Sequence, residues 1–256
     1  MKFRCLRCGE CCSHIRGWIR EEDKEFLKDY CYGKLPIIIT TPIDKITFPI
    51  WDFETKKIIE AKEKLNLDIK LYPSRVVYDL NKDIVIVISY SINADSCPFL
   101  QEGKCLIYTR RVFVCKVFPF QVSPFLDTNT DLDGRMMFGA CKAINEIINN
   151  FDYKNRNKLI KQLYDCFGET FLAAVQYDIV GRWINTTLMK LIKMGLRPAL
   201  NYPYKYLVKR IEKAKKIDFT KYLITTQIYS RNQIEKLINK FTHYEDAKIM
   251  LKKFLR

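Results

Sequence analysis

Two apolar runs with a turn between them give the clearest β pattern in the chain. Residues 75–80 and 84–90 are rich in β-branched and aromatic side chains, and Asn81-Lys82-Asp83 separates them. Turn-forming residues between two such runs predict a β-hairpin. Residues 36–40, which include three isoleucines, predict another buried strand, whereas residues 56–67 have the apolar spacing of a helix.

Helical spacing dominates the second half of the chain almost to its end. An apolar stripe from Leu172 to Trp183 recurs on one helical face. Ser230 followed by Gln233 is a capping-box pattern, which predicts the start of a later helix. Residues 21–30 form one further predicted helix near the N-terminus.

Charge and cysteine content both change near residue 150, which predicts a domain boundary there. Residues 151–256 carry 22 Lys or Arg against 9 Asp or Glu, a net charge of +13, whereas residues 1–150 carry 22 against 20, a net charge of +2. Nine of the ten cysteines precede residue 150. The predicted fold class is α+β, with a cysteine-rich α+β domain over residues 1–150 and an all-helical basic domain over residues 151–256.

Length and composition predict a globular protein that does not depend on disulfides. With 256 residues, of which 48% are hydrophobic, the chain can form a proper core without cross-links. The N-terminal residues lack the apolar segment of a secretory signal, and no apolar run is long enough for a transmembrane segment. We therefore expect a cytoplasmic location, where cysteines serve more often as metal ligands than in disulfides.

Four cysteines within eight residues give the strongest chemical signal. They follow the pattern CxxCxxCC and are Cys5, Cys8, Cys11 and Cys12. Each Cys-x-x-Cys step can bring two thiolates toward one metal, and Gly9 supplies the turn freedom that a crowded loop needs. The first three cysteines resemble the start of a ferredoxin-type run, and Cys97-Pro98 resembles its last position. The pattern predicts a metal centre rather than ordinary core packing.

Eight cysteines in all are predicted metal ligands for zinc or an iron–sulfur cluster. They are Cys5, Cys8, Cys11, Cys12, Cys97, Cys105, Cys115 and Cys141. Because neighbouring side chains on an extended segment point in opposite directions, Cys11 and Cys12 favour two sites or one multinuclear cluster. One possible division places Cys97 with the first three cysteines and Cys141 with Cys12, Cys105 and Cys115, although spacing alone does not decide it.

The cysteines and their neighbours resemble the YkgJ-type cysteine-cluster family over residues 3–141. The resemblance rests on the following elements in order: CxxCxxCC, Cys97-Pro98-Phe99-Leu100, Cys105-Leu106-Ile107-Tyr108, Arg111, Cys115 and Phe118-Pro119-Phe120. The family is described as a zinc- or iron-chelating domain with eight characteristic cysteines, and flagellin lysine N-methylases contain the same domain. The resemblance implies metal binding, and it suggests redox transfer or protein methylation as the chemistry.

The chain departs from the family pattern at two positions. Arg111-Val112 stands where the family has Arg-Pro, and Cys115-Lys116 stands where it has Cys-Arg. Lys116 keeps the positive charge but lacks the fork of donors that arginine presents. Neither change removes a thiol, so the implied metal binding is unaffected.

A row of lysines gives the basic region a candidate function of its own. Its members recur at helical spacing opposite an apolar stripe and are Lys205, Lys209, Lys213 and Lys216. Tyr202, Tyr206 and Tyr222 lie nearby. Such a face suits phosphate contacts and base stacking in a nucleic-acid complex, or contact with an acidic protein. A solvated lysine face without a partner would have the same sequence pattern.

Three functions are open at this point. The first is a metal-binding protein whose iron–sulfur centre transfers electrons, as a carrier or as an oxidoreductase-like enzyme. The second is a zinc-stabilised protein that binds nucleic acid through its basic helices. The third is a lysine methylase-like enzyme, for which the sequence shows no recognisable S-adenosylmethionine site. No phosphate-binding glycine loop and no hydrolase motif is present.

Overall fold

The computed structural model describes residues 2–16, 34–42, 45–120, 138–139 and 141–254. The predicted helix at residues 21–30 and Cys31 lie outside these ranges. The chain forms two compact units. Unit 1 comprises Met1–Cys11, Phe99–Asn185 and Lys236–Arg256, and unit 2 comprises Cys12–Pro98 and Thr186–Glu235. Each unit contains residues from before and after position 150. The domain boundary predicted there rests on charge and cysteine content, and it stays a prediction.

The fold class is α+β, as predicted, with a sheet built mainly from N-terminal segments and helices over most of the C-terminal region. In chain order the described strands are β1 (Ile38–Ile39), β2 (Ile50–Trp51), β3 (Leu71–Asp79), β4 (Ile84–Ile92), β5 (Leu100–Gln101), β6 (Lys104–Cys105) and β7 (Lys215–Asp218). The described helices are α1 (Glu10–Ser13), α2 (Thr55–Lys64), α3 (Phe113–Val117), α4 (Arg156–Phe167), α5 (Glu169–Lys193), α6 (Tyr204–Lys213), α7 (Phe219–Thr225), α8 (Arg231–Thr242) and α9 (Glu245–Phe254).

Unit 2 is organised around the predicted hairpin. β3 and β4 pair antiparallel, β1 pairs antiparallel with β3, and β2 pairs antiparallel with β4. The predicted strand at residues 36–40 is thus confirmed as β1, and the predicted helix at residues 56–67 is confirmed as α2. β7 pairs in parallel with β4, which makes it an exception in the region predicted to be all-helical. This pairing is a long-range contact, and no local sequence pattern predicts it.

The core of unit 2 lies between the sheet and α6. Val76, Val85 and Val87 are fully buried on the strands, and Leu207 and Ile211 of α6 pack against them. Leu207 and Ile211 stand four residues apart, which places them on one face of the helix. This segment therefore forms the predicted amphipathic helix, and its apolar stripe is the buried face.

Unit 1 has an aromatic core supported by helices α4, α5 and α9. Phe120, Phe138, Phe167 and Phe171 are buried in one cluster, and ring centroids of Phe120 and Phe167 lie 4.8 Å apart. The predicted apolar stripe on α5 contributes Leu172 to this core. None of the helices that the structure describes combines the length and the apolar character needed to cross a membrane.

Candidate metal centre

The N-terminal cysteine loop is fixed to unit 1 at its first residues. The Phe3 ring packs 5.0 Å from the Phe167 ring between centroids, and the Phe3 N–H donates to the Cys166 carbonyl over 2.9 Å. Cys166 itself is a buried thiol at the end of α4, and burial raises its pKa. The anchor positions Cys5 and Cys8, which follow in the loop and are exposed.

Cys11 and Cys12 lie on the single helical turn α1, so the prediction that they stand on an extended segment is wrong. Consecutive residues of a helix do not face each other either, because each residue turns the direction of its side chain by about 100°. The two thiols therefore still diverge. Cys11 belongs to unit 1 and Cys12 to unit 2.

Gly9 fits the loop against the small hairpin β5–β6, which carries Cys105 at its end. Gly9 has φ +75°, and a Cβ added to it would lie 2.8 Å from a Leu100 methyl and 3.1 Å from the Gly103 carbonyl oxygen. A side chain would thus be both strained and obstructed. The glycine within the motif therefore allows the cysteine loop to approach the segment of Cys105.

A tyrosine held between two guanidinium groups lies between the loop and Cys115. Arg7 stands 4.3 Å from the centre of the Tyr108 ring, and Arg111 stands 4.1 Å from it. Arg111 also donates to the carbonyls of Tyr108 and Cys115, each over 3.2 Å. Cys115 lies on the short helix α3, not in the predicted loop. Arg111 thus positions the Tyr108 ring beside the Cys115 segment. The sequence did not predict this role, because the cluster also includes Arg7, which is distant from Tyr108 in the chain.

Cys141 lies in the same neighbourhood as the first three cysteines. Lys142 forms a 3.0 Å ion pair with Glu10, which ties the Cys141 segment to the start of α1. Burial raises the pKa of the Cys141 thiol, and a hydrogen bond from the Ala143 N–H opposes that rise. The charges of the Cys5, Cys11 and Cys8 thiols also raise the pKa of Cys141. These three thiols are therefore close enough to Cys141 for their charges to act on it.

Cys97 is paired with Cys12 through the backbone. The Cys97 N–H donates to the Cys12 carbonyl over 2.7 Å, and both residues belong to unit 2. Cys97 lies in a loop, as predicted. These contacts favour a division other than the one considered from the sequence, since Cys141 lies near the first three cysteines and Cys97 is hydrogen-bonded to the Cys12 backbone.

The thiols of Cys5, Cys8, Cys11 and Cys141 lie near one another, but their side chains are not oriented to bind one metal ion. Among the described residues, no three Cys, His, Asp or Glu side chains converge in a geometry that could hold a metal ion. None of the nine cysteines in the described ranges forms a disulfide. The donor set of Cys5, Cys8, Cys11 and Cys141 has the thiolate chemistry that zinc and iron–sulfur clusters require. Ligation requires these side chains to reorient, and residues 2–8 have no helix or strand that would oppose it.

The predicted lysine row is only partly a helical face. Lys205, Lys209 and Lys213 are exposed on α6, but Lys216 lies on β7 and its ammonium donates to the carbonyls of Glu212 and Ala214. That contact stabilises the end of α6, where carbonyls lack helical partners.

The tyrosines near this row also differ from the prediction. Tyr222 is 4% exposed and cannot stack on a base. Tyr202 and Tyr206 do stack on each other, with centroids 6.1 Å apart.

The match to a protein family agrees with these observations. The family model CxxCxxCC, described as "Putative zinc- or iron-chelating domain", matches residues 4–142, which is more than half of the chain. No curated protein and no solved structure matches the chain significantly. The matched segment contains all eight cysteines predicted to bind metal, and the chain therefore belongs to the CxxCxxCC family of zinc- or iron-chelating domains, as a cysteine-cluster metal-binding protein.

Proposed function

We propose that the protein is an iron–sulfur protein that transfers electrons through a centre held by Cys5, Cys8, Cys11 and Cys141. The observation that carries the proposal is the proximity of these four thiols, three from one loop and one from a distant segment. Cys12, Cys97, Cys105 and Cys115 stay predicted ligands.

The cysteine pattern and the donor set support iron–sulfur over zinc. Three cysteines at Cys-x-x-Cys spacing followed by a remote fourth are typical of iron–sulfur ligation. An iron–sulfur cluster would supply a one-electron couple at this position, whereas zinc has no redox chemistry. The chain's own contribution is to hold the loop at Phe3 and to tie the Cys141 segment to α1 through the ion pair of Lys142 with Glu10.

Elemental analysis of anaerobically purified protein tests this proposal. We expect iron and acid-labile sulfide in near-equal amounts, visible absorption that bleaches with dithionite, and an electron paramagnetic resonance signal in one redox state. Colourless protein that contains zinc and no sulfide would contradict the iron–sulfur proposal while leaving metal binding intact.

A second candidate function, binding of single-stranded nucleic acid, has one observation in its favour. Tyr206 is 46% exposed and stacked on Tyr202, and it lies on α6 beside Lys205 and Lys209. Arg210 donates to the Tyr206 hydroxyl over 2.9 Å. Aromatic rings beside cations are the usual elements of sequence-tolerant single-strand binding.

Binding of a labelled oligothymidine across a salt series tests this second candidate. We expect affinity to fall with salt and to fall at least about fivefold in Tyr206→Ala, since one base stack contributes about 1–3 kcal/mol. Tyr72→Ala is the matched control, because Tyr72 is 45% exposed on β3. Equal losses in the two variants, or no binding at low salt, would remove this candidate.

A further inference from the structure

An apolar groove in unit 2 lies at the end of α5 and in the segment that leads to α6. It encloses about 580 Å³, and eight of its nine lining residues are apolar or aromatic. The lining residues are Pro36, Leu80, Met189, Ile192, Leu196, Arg197, Pro198, Leu200 and Tyr202. Arg197 is the only charged residue in that lining.

Exposed apolar side chains lie in the groove lining and next to it in the chain. Met189 and Leu200 of the lining are exposed, and Met194, directly after the end of α5, is 69% exposed. Leu35, which precedes the lining residue Pro36, is also a large exposed apolar residue. Concentrated exposed apolar surface in a folded chain marks an interaction site, and methionine side chains adapt to the shape of a partner.

Exposed positive charge lies along the part of the groove that α5 and the segment after it form. Lys190, Lys193 and Arg197 are exposed, and Lys193 stands four residues after Met189, on the same face of α5. The sequence from Ile179 to Ile211 contains no Asp or Glu. A partner that places carboxylates beside its apolar side chains would therefore meet attraction along this side of the groove.

We propose that this groove binds an amphipathic helix of a partner protein that has an apolar stripe flanked by acidic residues. Helix-in-groove recognition uses apolar anchors at i, i+3, i+4 and i+7, and a concave groove with exposed walls accepts such a row of side chains. The cations at the edge select acidic helices over basic ones and accelerate association. The site is distinct from the cysteine centre, whose four grouped thiols belong to unit 1.

Fluorescence anisotropy with a designed labelled peptide tests the proposal on the full-length, metal-loaded protein. The probe is a helix of about four turns with Leu and Phe at the four anchor positions and Glu at the remaining ones. A peptide of the same composition in scrambled order is the control for charge alone. We expect saturable binding of the first peptide, at least about tenfold weaker binding of the second, and weakening with salt.

Two matched variants locate the binding surface. Met189→Glu adds a negative charge in the groove and should weaken peptide binding at least about tenfold, whereas Ile249→Glu, at a residue 56% exposed on α9, should leave it unchanged. Circular dichroism and metal content verify that both variants are folded. The proposal is overturned if the scrambled peptide binds equally, if the two variants behave alike, or if no saturable binding occurs. It is also overturned if oligothymidine or anionic vesicles, and not the peptide, bind in a Met189-dependent manner.

Discussion

At the scale of single residues, Gly9 decides how closely the cysteine loop approaches its neighbours. Replacement by alanine would strain a backbone with φ +75° and place a Cβ 3.1 Å from the Gly103 carbonyl oxygen. We expect Gly9→Ala to cost about 1–2 kcal/mol of stability and to lower metal content, because the loop must move away from the β5–β6 hairpin. Thermal unfolding and metal analysis measure the two effects.

Gly168→Ala is the control that separates backbone strain from the geometry of the site. Gly168 also has a positive φ, +52°, but a Cβ there meets nothing within 4 Å. This variant should lose stability and keep its metal. If Gly9→Ala keeps full metal content, the close approach seen at Gly9 is not needed for ligation.

A second residue-scale prediction concerns the buried carboxylate of Asp52 in unit 2. Burial raises the pKa of Asp52 to about 7, although Thr220 donates to it from its N–H over 2.7 Å and its hydroxyl over 2.6 Å; the charge of Asp218 adds to the rise. The folded state therefore holds a proton that the unfolded state releases near pH 4. Stability should fall as pH rises from about 4 to 7 and level off above that.

Replacement of Asp52 by asparagine tests the sign of this effect. Between pH 5 and 7.5 the wild type should lose roughly 2–3 kcal/mol more stability than Asp52→Asn, as one pKa unit corresponds to about 1.4 kcal/mol. Urea unfolding of both proteins at the two pH values gives the difference, and other titrating groups cancel. A steeper pH dependence in the variant than in the wild type would contradict the assignment.

At the scale of elements, the start of α8 follows its sequence signal closely. The Ser230 N–H donates to the Gln233 side chain over 2.7 Å, and the Gln233 N–H donates to the Ser230 hydroxyl over 3.2 Å. This is the reciprocal capping box that the sequence predicts. Ser230→Ala should cost about 1 kcal/mol in urea unfolding, and Ser230→Gly only a few tenths. A cost near zero for Ser230→Ala would mean that the hydroxyl contributes nothing.

Elements with a local signal could be predicted, and elements formed by distant contacts could not. The β3–β4 hairpin and the α8 cap depend on residues within a few positions of each other, which the sequence displays. β7, in contrast, forms because Lys215–Asp218 pairs with β4, more than one hundred residues earlier. By its sequence spacing Lys216 belongs to the predicted helical lysine row, but the helix ends at Lys213.

At the scale of the whole molecule, the cysteine site also combines a local motif, which the sequence shows, with distant contacts, which it does not. The first four cysteines were identified as a local motif, but their relation to the others depends on contacts such as Glu10 with Lys142 and Gly9 with Gly103. One division considered from the sequence grouped Cys97 with the first three cysteines, although spacing did not decide it. The structure places Cys141 there because its segment packs on the aromatic core of unit 1 together with Phe3.

Metal removal should loosen the chain selectively. Hydrogen exchange of metal-loaded and metal-depleted protein should show lost protection in residues 2–11, 100–117 and 141–150, since loss of the metal frees the loops that carry thiols. The β3–β4 hairpin should keep its protection, because its core of Val76, Val85 and Val87 contains no ligand. Uniform loss across both regions would indicate that the metal supports the whole fold, against this account.

Separate replacement of Cys141 and Cys166 by alanine tests whether Cys141 holds the cluster. Both residues are cysteines of unit 1 whose pKa burial raises, but only Cys141 lies near Cys5, Cys8 and Cys11. Iron and acid-labile sulfide are measured per chain after anaerobic purification. The account predicts that Cys141→Ala loses a cluster while Cys166→Ala retains the wild-type content. Full loading of Cys141→Ala, or equal loss in both variants, would contradict it.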